Sequence, residues 1–163
     1  NRNAYRLDHI KMIVMDCDGV LTDAGMYYSD SGEFLKKFNT RDGKGIELLR
    51  NIGIKSAILT GESTPIAPKR AEKLKIDYII TGSKQKDIDV QALAKESGID
   101  LKDIAYIGDD VNDLPVIALC GFTACPSDAA QDVRDAVDIV LSQKGGEGAV
   151  RALADLILRE QAH

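Results

Sequence analysis

The feature that most constrains this chain is an acidic stretch at the end of an apolar run. Residues 10–15 form the run, and Asp16-Cys17-Asp18-Gly19-Val20-Leu21-Thr22-Asp23 follows it directly. Side chains two apart on an extended backbone point the same way, so Asp16 and Asp18 face one ligand, and Gly19 frees the backbone to turn away. Two carboxylates this close repel each other unless a proton or a metal neutralises them. The stretch therefore predicts a site for a cation and a reacting group; a solvated acidic turn is the purely structural alternative.

Strand and helix patterns alternate along the rest of the chain. The predicted strands are residues 10–15, 54–59, 77–80, 104–107, 122–125 and 136–141, and the predicted helices are residues 43–51, 65–75, 86–97, 111–119, 128–134 and 148–160. This alternation is typical of an α/β fold with a Rossmann-like, doubly wound parallel sheet and helices on both faces. In such sheets, ligands bind at the carboxyl ends of the strands, where the strand order reverses.

A small β-hairpin is the one predicted departure from that alternation. Residues 26–29 and 33–39 are extended runs on either side of the turn sequence Asp30-Ser31-Gly32. Residues 24–39 are too few to form a domain, so we expect a flap and no cap domain. The length of 163 residues suits a single domain, in which residues 144–163 form a Gly-rich tail and a C-terminal helix.

Composition excludes several classes of function. The net charge of −5 and the absence of a basic block argue against nucleic-acid binding. The apolar runs are strand-sized, so no membrane span is predicted, and the polar start does not resemble a signal peptide; we therefore expect a cytoplasmic protein. The three cysteines have no metal-binding or disulfide spacing and are predicted to be buried thiols. With only His9 and His163 present, a Ser-His or Cys-His catalytic pair is difficult to assemble.

Polar residues capable of phosphate chemistry follow several of the predicted strands. Thr60 follows the strand at 54–59, and Asp109 and Asp110 follow the strand at 104–107. Lys86 opens a helix shortly after Thr81-Gly82-Ser83. For Lys86 alone, a solvated lysine at a helix start is the simpler interpretation, and only the whole pattern indicates a site.

In this order, the positions resemble the four motifs of the haloacid dehalogenase superfamily of aspartate-nucleophile phosphotransferases. Asp16-Cys17-Asp18-Gly19-Val20 is similar to the first motif, Thr60 to the second, Lys86 to the third, and Gly108-Asp109-Asp110-Val111-Asn112-Asp113 to the fourth. The resemblance covers essentially the whole chain. It implies a hydrolase that forms an aspartyl-phosphate, which splits hydrolysis into two steps.

The resemblance also implies a role for each matching residue. Asp16 would be the nucleophile and Asp18 the general acid and base, while the Thr60 hydroxyl and Lys86 would bind phosphoryl oxygens. Mg²⁺ would be held by Asp16, by Asp109 and by the backbone carbonyl of Asp18, since hard oxygen ligands suit this ion. Two further acids, Asp110 and Asp113, would hold metal-bound waters or orient partners, or would simply open a helix as an acid pair favoured by the helix dipole.

The lack of a cap narrows the resemblance to the phosphatases of 3-deoxy-D-manno-octulosonate 8-phosphate and of 2-keto-3-deoxynononate 9-phosphate. The resembling segments are Asp18 to Asp23, the hairpin region from Gly25 to Phe38, Thr40-Arg41-Asp42-Gly43, Arg70-Ala71-Glu72, and Gly145-Gly146-Glu147-Gly148-Ala149-Val150-Arg151. Those enzymes are homotetramers in which a neighbouring subunit covers each site. The resemblance implies a small phosphorylated sugar acid as substrate, and a place in lipopolysaccharide or sialic-acid metabolism.

Substrate-binding residues follow from the same resemblance. They are Thr40, Asp42, Gly61, Glu62, Arg70, Lys73 and Arg151. The octulosonate branch usually has Arg where this chain has Glu62, and the nononate branch resembles this chain there and at Lys73; substrate length therefore stays open. The stretch Gly145 to Gly148 is either a mobile turn or a lid over a neighbouring site.

Two alternatives come from other classes of protein. Receiver domains also place acids, a Thr and a Lys around Mg²⁺, but their phosphoacceptor lies on the third strand, whereas this chain has its acid pair on the first. The other alternative is a non-catalytic oligomerisation module, because the same module occurs fused to or beside sialic-acid cytidylyltransferases. Loss of phosphate release on Asp16→Asn separates an enzyme from both.

Overall fold

A computed structural model of the chain describes residues 6–162 and places a six-stranded parallel sheet at its centre. The strand order is β5-β4-β1-β6-β7-β8, so the first strand is central. Residues 1–5 of the polar start and His163 lie outside the described residues. The predicted α/β fold with a doubly wound parallel sheet is confirmed.

The elements follow each other as the sequence pattern indicates. The strands are β1 Met12–Met15, β2 Tyr27–Ser29, β3 Gly32–Leu35, β4 Lys55–Leu59, β5 Tyr78–Ile80, β6 Ile104–Ile107, β7 Phe122–Cys125 and β8 Ile139–Val140. The helices are α1 Thr40–Asn51, α2 Ile66–Leu74, α3 Lys86–Ser97, α4 Leu114–Ile117, α5 Gln131–Ala136 and α6 Ala149–Gln161, with short 3-10 helices at Leu101–Asp103 and Val111–Asp113.

The two faces of the sheet are buried by different sets of helices. Ile13 and Met15 of β1 point into the core that α1, α2 and α6 cover, whereas Met12 and Val14 point into the core beneath α3, α4 and α5. This division follows from the period of two along a strand. A strand buried on both faces reads as a continuous apolar run, which is why β1 carries no alternation of polar and apolar residues.

Several boundaries differ from those predicted from the sequence. Helix α1 begins at Thr40 and not at residue 43, because Asn39 caps it by accepting a hydrogen bond from Arg41 N. The segment predicted as a helix over 111–119 is a 3-10 turn followed by the short helix α4, since Pro115 lies at the junction and cannot donate a backbone hydrogen bond. Strand β8 is shorter than predicted and forms one edge of the sheet.

The hairpin β2–β3 stands apart from this packed body. It is a separate two-stranded antiparallel sheet. Roughly half or more of the side chains of Met26, Tyr27, Tyr28, Phe34 and Leu35 is exposed. A two-stranded hairpin is marginally stable alone, and contiguous exposed apolar side chains are typical of an interaction site. We therefore expect another surface to pack against this hairpin.

The cysteines are free thiols, as predicted. Cys17 and Cys125 are buried and Cys120 is partly buried. Burial raises the thiol pKa of Cys17 and of Cys120 to about 12 and that of Cys125 to about 11, so none of them is a reactive thiolate near neutral pH. Across residues 6–162, the helices are all too short or too polar to cross a bilayer.

Candidate active site

The strand order brings three polar residues from distant parts of the chain to one edge of the sheet. Strand β1 lies between β4 and β6, in parallel register with both. Asp16, Thr60 and Asp109 follow the carboxyl ends of these three strands, at the point where ligands bind in such sheets. The predicted clustering of the first, second and fourth motifs is therefore present in the structure.

The third motif joins them through a buried ion pair. Lys86, at the start of α3, places its Nζ 3.2 Å from Asp16 Oδ1 and donates a hydrogen bond of 2.8 Å to Asp113 Oδ1. Burial alone would lower the lysine pKa, but Asp16 and Asp113 outweigh burial and raise it. Lys86 is therefore cationic, and its 4% exposure rules out the solvated-lysine interpretation.

Asp113 accepts hydrogen bonds from several groups of the site at once. Its Oδ1 accepts hydrogen bonds from Lys86 and, at 2.5 Å, from the Tyr106 hydroxyl, while its Oδ2 accepts from the backbone N–H groups of Asp109 (2.9 Å) and Asp110 (3.2 Å). The side chain is fully buried. Asp113 therefore holds several groups of the site together, and with Asp110 it also forms a capping box at the start of the 3-10 helix, the helix-opening pair that was the structural alternative.

Asp16 and Asp109 form the acidic pair expected of a metal site. Carboxylate oxygens of Asp16, Asp109 and Asp113 lie within 4.8 Å of one another. Burial, and then the charge of Asp113, raise the pKa of Asp16 well above its usual value, with Lys86 opposing them. The same two causes raise the pKa of Asp109 to about 7. Two acids this reluctant to ionise together fit a site that a cation completes.

Gly19 allows the loop after β1 to lie directly against the carboxylate of Asp109. Gly19 has φ +82°, and a Cβ at this position would lie 1.8 Å from Asp109 Oδ2. The loop after β1 therefore passes directly against the Asp109 carboxylate, which any side chain at position 19 would displace. The donors offered here are carboxylate oxygens, with the Asp18 carbonyl on the same loop. This donor set fits a hard cation such as Mg²⁺ and does not fit a thiolate- or imidazole-seeking metal.

Asp18 lies at the rim of the site and is bound by a lysine of the hairpin region. Lys36 Nζ donates a 2.7 Å hydrogen bond to Asp18 Oδ1 and contacts Glu33 Oε1 at 3.0 Å. Burial would lower the pKa of Lys36, but the hydrogen bonds that its ammonium donates to Asp18 and Glu33 outweigh burial and raise that pKa to about 12. The general acid and base predicted from the first motif is thus tied to the flap.

These side chains surround a cleft of about 230 Å³. Its lining consists of Asp16, Asp18, Ala24, Thr60, Gly61, Glu62, Asp109, Asp110 and Asn112. The Thr60 hydroxyl accepts a hydrogen bond from Glu62 N at 3.1 Å, which fixes the turn that presents both residues. The predicted substrate residues Gly61 and Glu62 therefore lie beside Asp16, Asp18 and Thr60, which are predicted to be catalytic.

Three other predicted substrate residues lie in a different concavity. Thr40, Arg70 and Lys73 line a pocket of about 400 Å³ between α1 and α2, which we name the basic pocket. Its remaining lining is Gly43, Lys44, Glu47, Arg50, Leu74 and Lys75. Among residues 6–162, none lines both this pocket and the catalytic cleft.

The structure corrects the prediction for Asp42. Asp42 is 1% exposed, and its Oδ1 accepts a hydrogen bond of 3.0 Å from the backbone N–H of Arg151. It caps the start of α6 from α1 and cannot reach a substrate, because helix packing encloses it. Arg151 Nε is bound to Asp155 at 3.1 Å, also on the α1–α6 side of the fold.

The Gly-rich turn supports the catalytic loop. Gly146 N donates to Val20 O at 3.1 Å, and a Cβ on Gly145 would lie 1.8 Å from Gly19 O. Both glycines are buried, and neither lines the cleft. Within one chain the turn therefore packs behind the first motif; a role as a lid over a neighbouring site stays a prediction.

Sequence reasoning missed two contacts of the site. Tyr106 is fully buried in a strand that is otherwise apolar, and a buried tyrosine hydroxyl needs a partner, so its role could have been anticipated. Lys36 carries no such signal, because a lysine in a hairpin is ordinarily a solvated residue.

Comparison with known proteins places this geometry in a family. The model of the haloacid dehalogenase-like hydrolases matches residues 38–121. A 3-deoxy-D-manno-octulosonate 8-phosphate phosphatase of Haemophilus influenzae is 42% identical over 96% of this chain and 87% of that protein. The Escherichia coli phosphatase of the same name is 35% identical, over 96% of this chain and 83% of that protein.

Solved structures agree with these sequence relatives. The cobalt-bound octulosonate 8-phosphate phosphatase of H. influenzae superposes with a TM-score of 0.94 at 41% identity, covering 96% of this chain and 92% of that one. The enzyme of Moraxella catarrhalis, solved with a magnesium ion, a phosphate ion and the sugar acid, has a TM-score of 0.93 at 38% identity, covering 96% and 90%.

Proposed function

Since this chain belongs to the haloacid dehalogenase-like hydrolases, and within them to the family of the 3-deoxy-D-manno-octulosonate 8-phosphate phosphatases, we propose that it hydrolyses the phosphate monoester of a 3-deoxy-2-ulosonic acid. It is a phosphoric monoester hydrolase. The observation that carries the proposal is that Asp16 and Asp109 line one cleft and that buried Lys86 is paired to Asp16, in the fold of these enzymes.

Mg²⁺ is the cofactor. Asp16 and Asp109, whose carboxylates lie close together, would hold it with the backbone carbonyl of Asp18, as the family resemblance implies. When bound, it neutralises the acidic cleft and offsets charge on the phosphoryl oxygens. Lys86 and the Thr60 hydroxyl bind the remaining phosphoryl oxygens from the protein side. Lys86 is held for this role by Asp113, which Tyr106 orients in turn.

The reaction follows from the two acids of the first motif. Asp16 attacks phosphorus, the bond from phosphorus to the sugar oxygen breaks, and the proton carried by Asp18 passes to that oxygen. A water then attacks the aspartyl-phosphate and gives its proton to the Asp18 carboxylate, releasing phosphate and restoring Asp16. General acid–base catalysis of this kind contributes roughly 10²- to 10⁴-fold.

The eight-carbon octulosonate 8-phosphate is the proposed substrate, because the relatives that match over 96% of the chain are phosphatases of that name. Glu62 in the cleft supports a second candidate, the nine-carbon nononate 9-phosphate, since a carboxylate there accepts hydrogen bonds from sugar hydroxyls. Comparing kcat/KM for the two substrates decides between them.

We further propose that the active form is a homotetramer. Two features support it: the exposed apolar side chains of the hairpin, and the basic pocket, whose predicted substrate residues lie apart from the cleft of the same chain. A second copy of the chain would cover the exposed apolar side chains of the hairpin. It would also bring the basic pocket of one subunit to the cleft of its neighbour. Sedimentation of a fully active monomer would overturn this assembly.

The experiment for the function is phosphate release from sugar-acid phosphates with and without Mg²⁺, repeated for Asp16→Asn. We expect metal-dependent release and a loss of at least about 10⁴-fold in the variant, because the nucleophile is gone. Turnover that survives in Asp16→Asn would contradict the nucleophile assignment, and no release from any phosphorylated ulosonate would contradict the substrate class.

A further inference from the structure

Lys36 is buried in a segment that is otherwise exposed. Its side chain has no exposed surface, whereas the preceding residues Phe34 and Leu35 are 53% and 51% exposed. Fixing a lysine side chain costs about 2 kcal/mol of rotamer entropy, so an ordered, covered ammonium needs strong partners. A lysine on a hairpin would otherwise extend into water.

Its partners are two carboxylates with different positions. Nζ lies 2.7 Å from Asp18 Oδ1, and 3.0 Å from Oε1 and 3.1 Å from Oε2 of Glu33. Both are charge-assisted contacts, which are shorter and stronger than neutral hydrogen bonds. Glu33 itself is buried, with 7% of its side chain exposed, so it anchors the lysine from within the hairpin.

The contact with Lys36 restrains the carboxylate of Asp18, which the central sheet does not hold in place. Asp16 is 6% exposed and accepts a hydrogen bond from Cys17 N at the end of β1. The Asp18 side chain is 25% exposed, and within residues 6–162 its ion-pair partner is Lys36. By occupying Oδ1, Lys36 leaves Oδ2 free to face the leaving oxygen. Misplacing a catalytic group by about 1 Å can cost around 10²-fold in rate.

We propose that Lys36 is the positioning residue of Asp18, and that Glu33 holds Lys36 in place, so that the hairpin orients the acid and base of the reaction. The proposal rests on the proposed phosphatase function. It predicts a defect confined to the step in which Asp18 gives its proton to the leaving sugar oxygen.

Leaving-group dependence isolates that step. The value of kcat/KM reports events up to phosphoryl transfer to Asp16, and p-nitrophenyl phosphate releases a stable phenolate that needs little protonation. For Lys36→Met we expect kcat/KM to fall about 10- to 100-fold with the sugar-acid phosphate and less than about threefold with p-nitrophenyl phosphate. The exposed neighbour Lys37 supplies the matched control, Lys37→Met, which should leave both values unchanged.

Asp18→Asn serves as the benchmark, with the same leaving-group dependence and a larger loss. Failure of wild-type protein to release phosphate from either substrate would refute the proposed function, before the lysine variant is considered. If wild type and Asp18→Asn behave as expected, equal losses with both substrates in Lys36→Met would overturn the positioning role, as would full activity or faster turnover.

Glu33→Gln provides a second variant should Lys36→Met not fold, as judged by its thermal unfolding. It keeps the lysine and removes one of its two anionic anchors. A smaller loss that is still confined to the sugar-acid phosphate supports the proposal, whereas an equal loss with both substrates contradicts it.

Discussion

The catalytic cleft and the basic pocket are concavities of one chain with opposite charge. The cleft is lined by five carboxylates, from Asp16, Asp18, Glu62, Asp109 and Asp110. The pocket is lined by five cations, from Lys44, Arg50, Arg70, Lys73 and Lys75, with the carboxylate of Glu47. Each concavity by itself suits only part of a substrate that carries two anionic groups, a phosphate and a carboxylate.

This difference clarifies how an acidic protein can act on a phosphorylated sugar acid. The phosphate end requires positive charge beside the cleft, which on the proposed mechanism Lys86 and a bound Mg²⁺ would supply. The sugar end requires groups that recognise a carboxylate and hydroxyls, and the cations of the basic pocket are of that kind. On the proposed assembly, the two surfaces meet between subunits.

For the two concavities, the larger expected effect comes from removing Lys86, the cation paired to Asp16 of the cleft. Lys86→Met should lower kcat/KM by about 10²- to 10³-fold, the usual effect of losing one group that stabilises charge in the transition state. It should also lower the melting temperature, because Asp16 and Asp113 would be left buried beside each other without their cation. Steady-state kinetics and thermal unfolding measure both effects.

Lys84→Met is the matched control for that variant, since Lys84 is exposed and lies two residues before α3. It should have the activity and stability of the wild type. An unaltered kcat/KM in Lys86→Met would show that the cleft does not depend on its own cation.

A smaller effect is expected from the basic pocket. Lys73→Met should raise KM for the sugar-acid phosphate about 10-fold with kcat little changed, because a lost ion pair that binds substrate and transition state equally affects binding alone. Lys69→Met, on the same helix but exposed and outside the pocket lining, is the control. An unchanged KM in Lys73→Met would separate the pocket from the substrate.

The smallest effect concerns stability near the basic pocket. Burial raises the pKa of Asp42 to about 6, although Arg151 N and the charge of Arg70 oppose it. The folded state therefore holds this proton more tightly than the unfolded state does, and stability from this group is present below about pH 4 and is lost as the pH rises through about 6. The loss is on the order of 3 kcal/mol, at about 1.4 kcal/mol for each unit by which the pKa of this buried carboxyl is raised.

Asp42→Asn should remove that pH dependence, because an amide does not titrate and its oxygen still accepts the hydrogen bond from Arg151 N. Urea unfolding between pH 4 and pH 7.5 gives the measurement, with Glu47→Gln on the same helix as the control. A wild-type stability that increases with pH over this range, relative to Asp42→Asn, would contradict the raised pKa.

Prediction from sequence succeeded where the governing interactions are local. The continuous apolar run of β1 places Asp16 at the end of a buried strand, and the alternation of strands and helices places Thr60 and Asp109 at the same edge of the sheet. It failed for Asp42, because a carboxylate at a helix start has the same local pattern whether it faces a ligand or caps another helix. Only packing distinguishes the two.

The sequence by itself determined the architecture, because the order of strands and helices follows from short-range periodicity, and it determined the order of motifs on which the family resemblance rests. Tertiary structure alone decided which residues from distant parts of the chain contact one another. Lys36 reaches Asp18 across 18 positions, and Asp42 reaches Arg151 across 109. Such contacts depend on how the hairpin and the helices pack against the sheet, and no local pattern encodes that geometry. The acidic stretch after β1 is thus completed by a lysine of the flap.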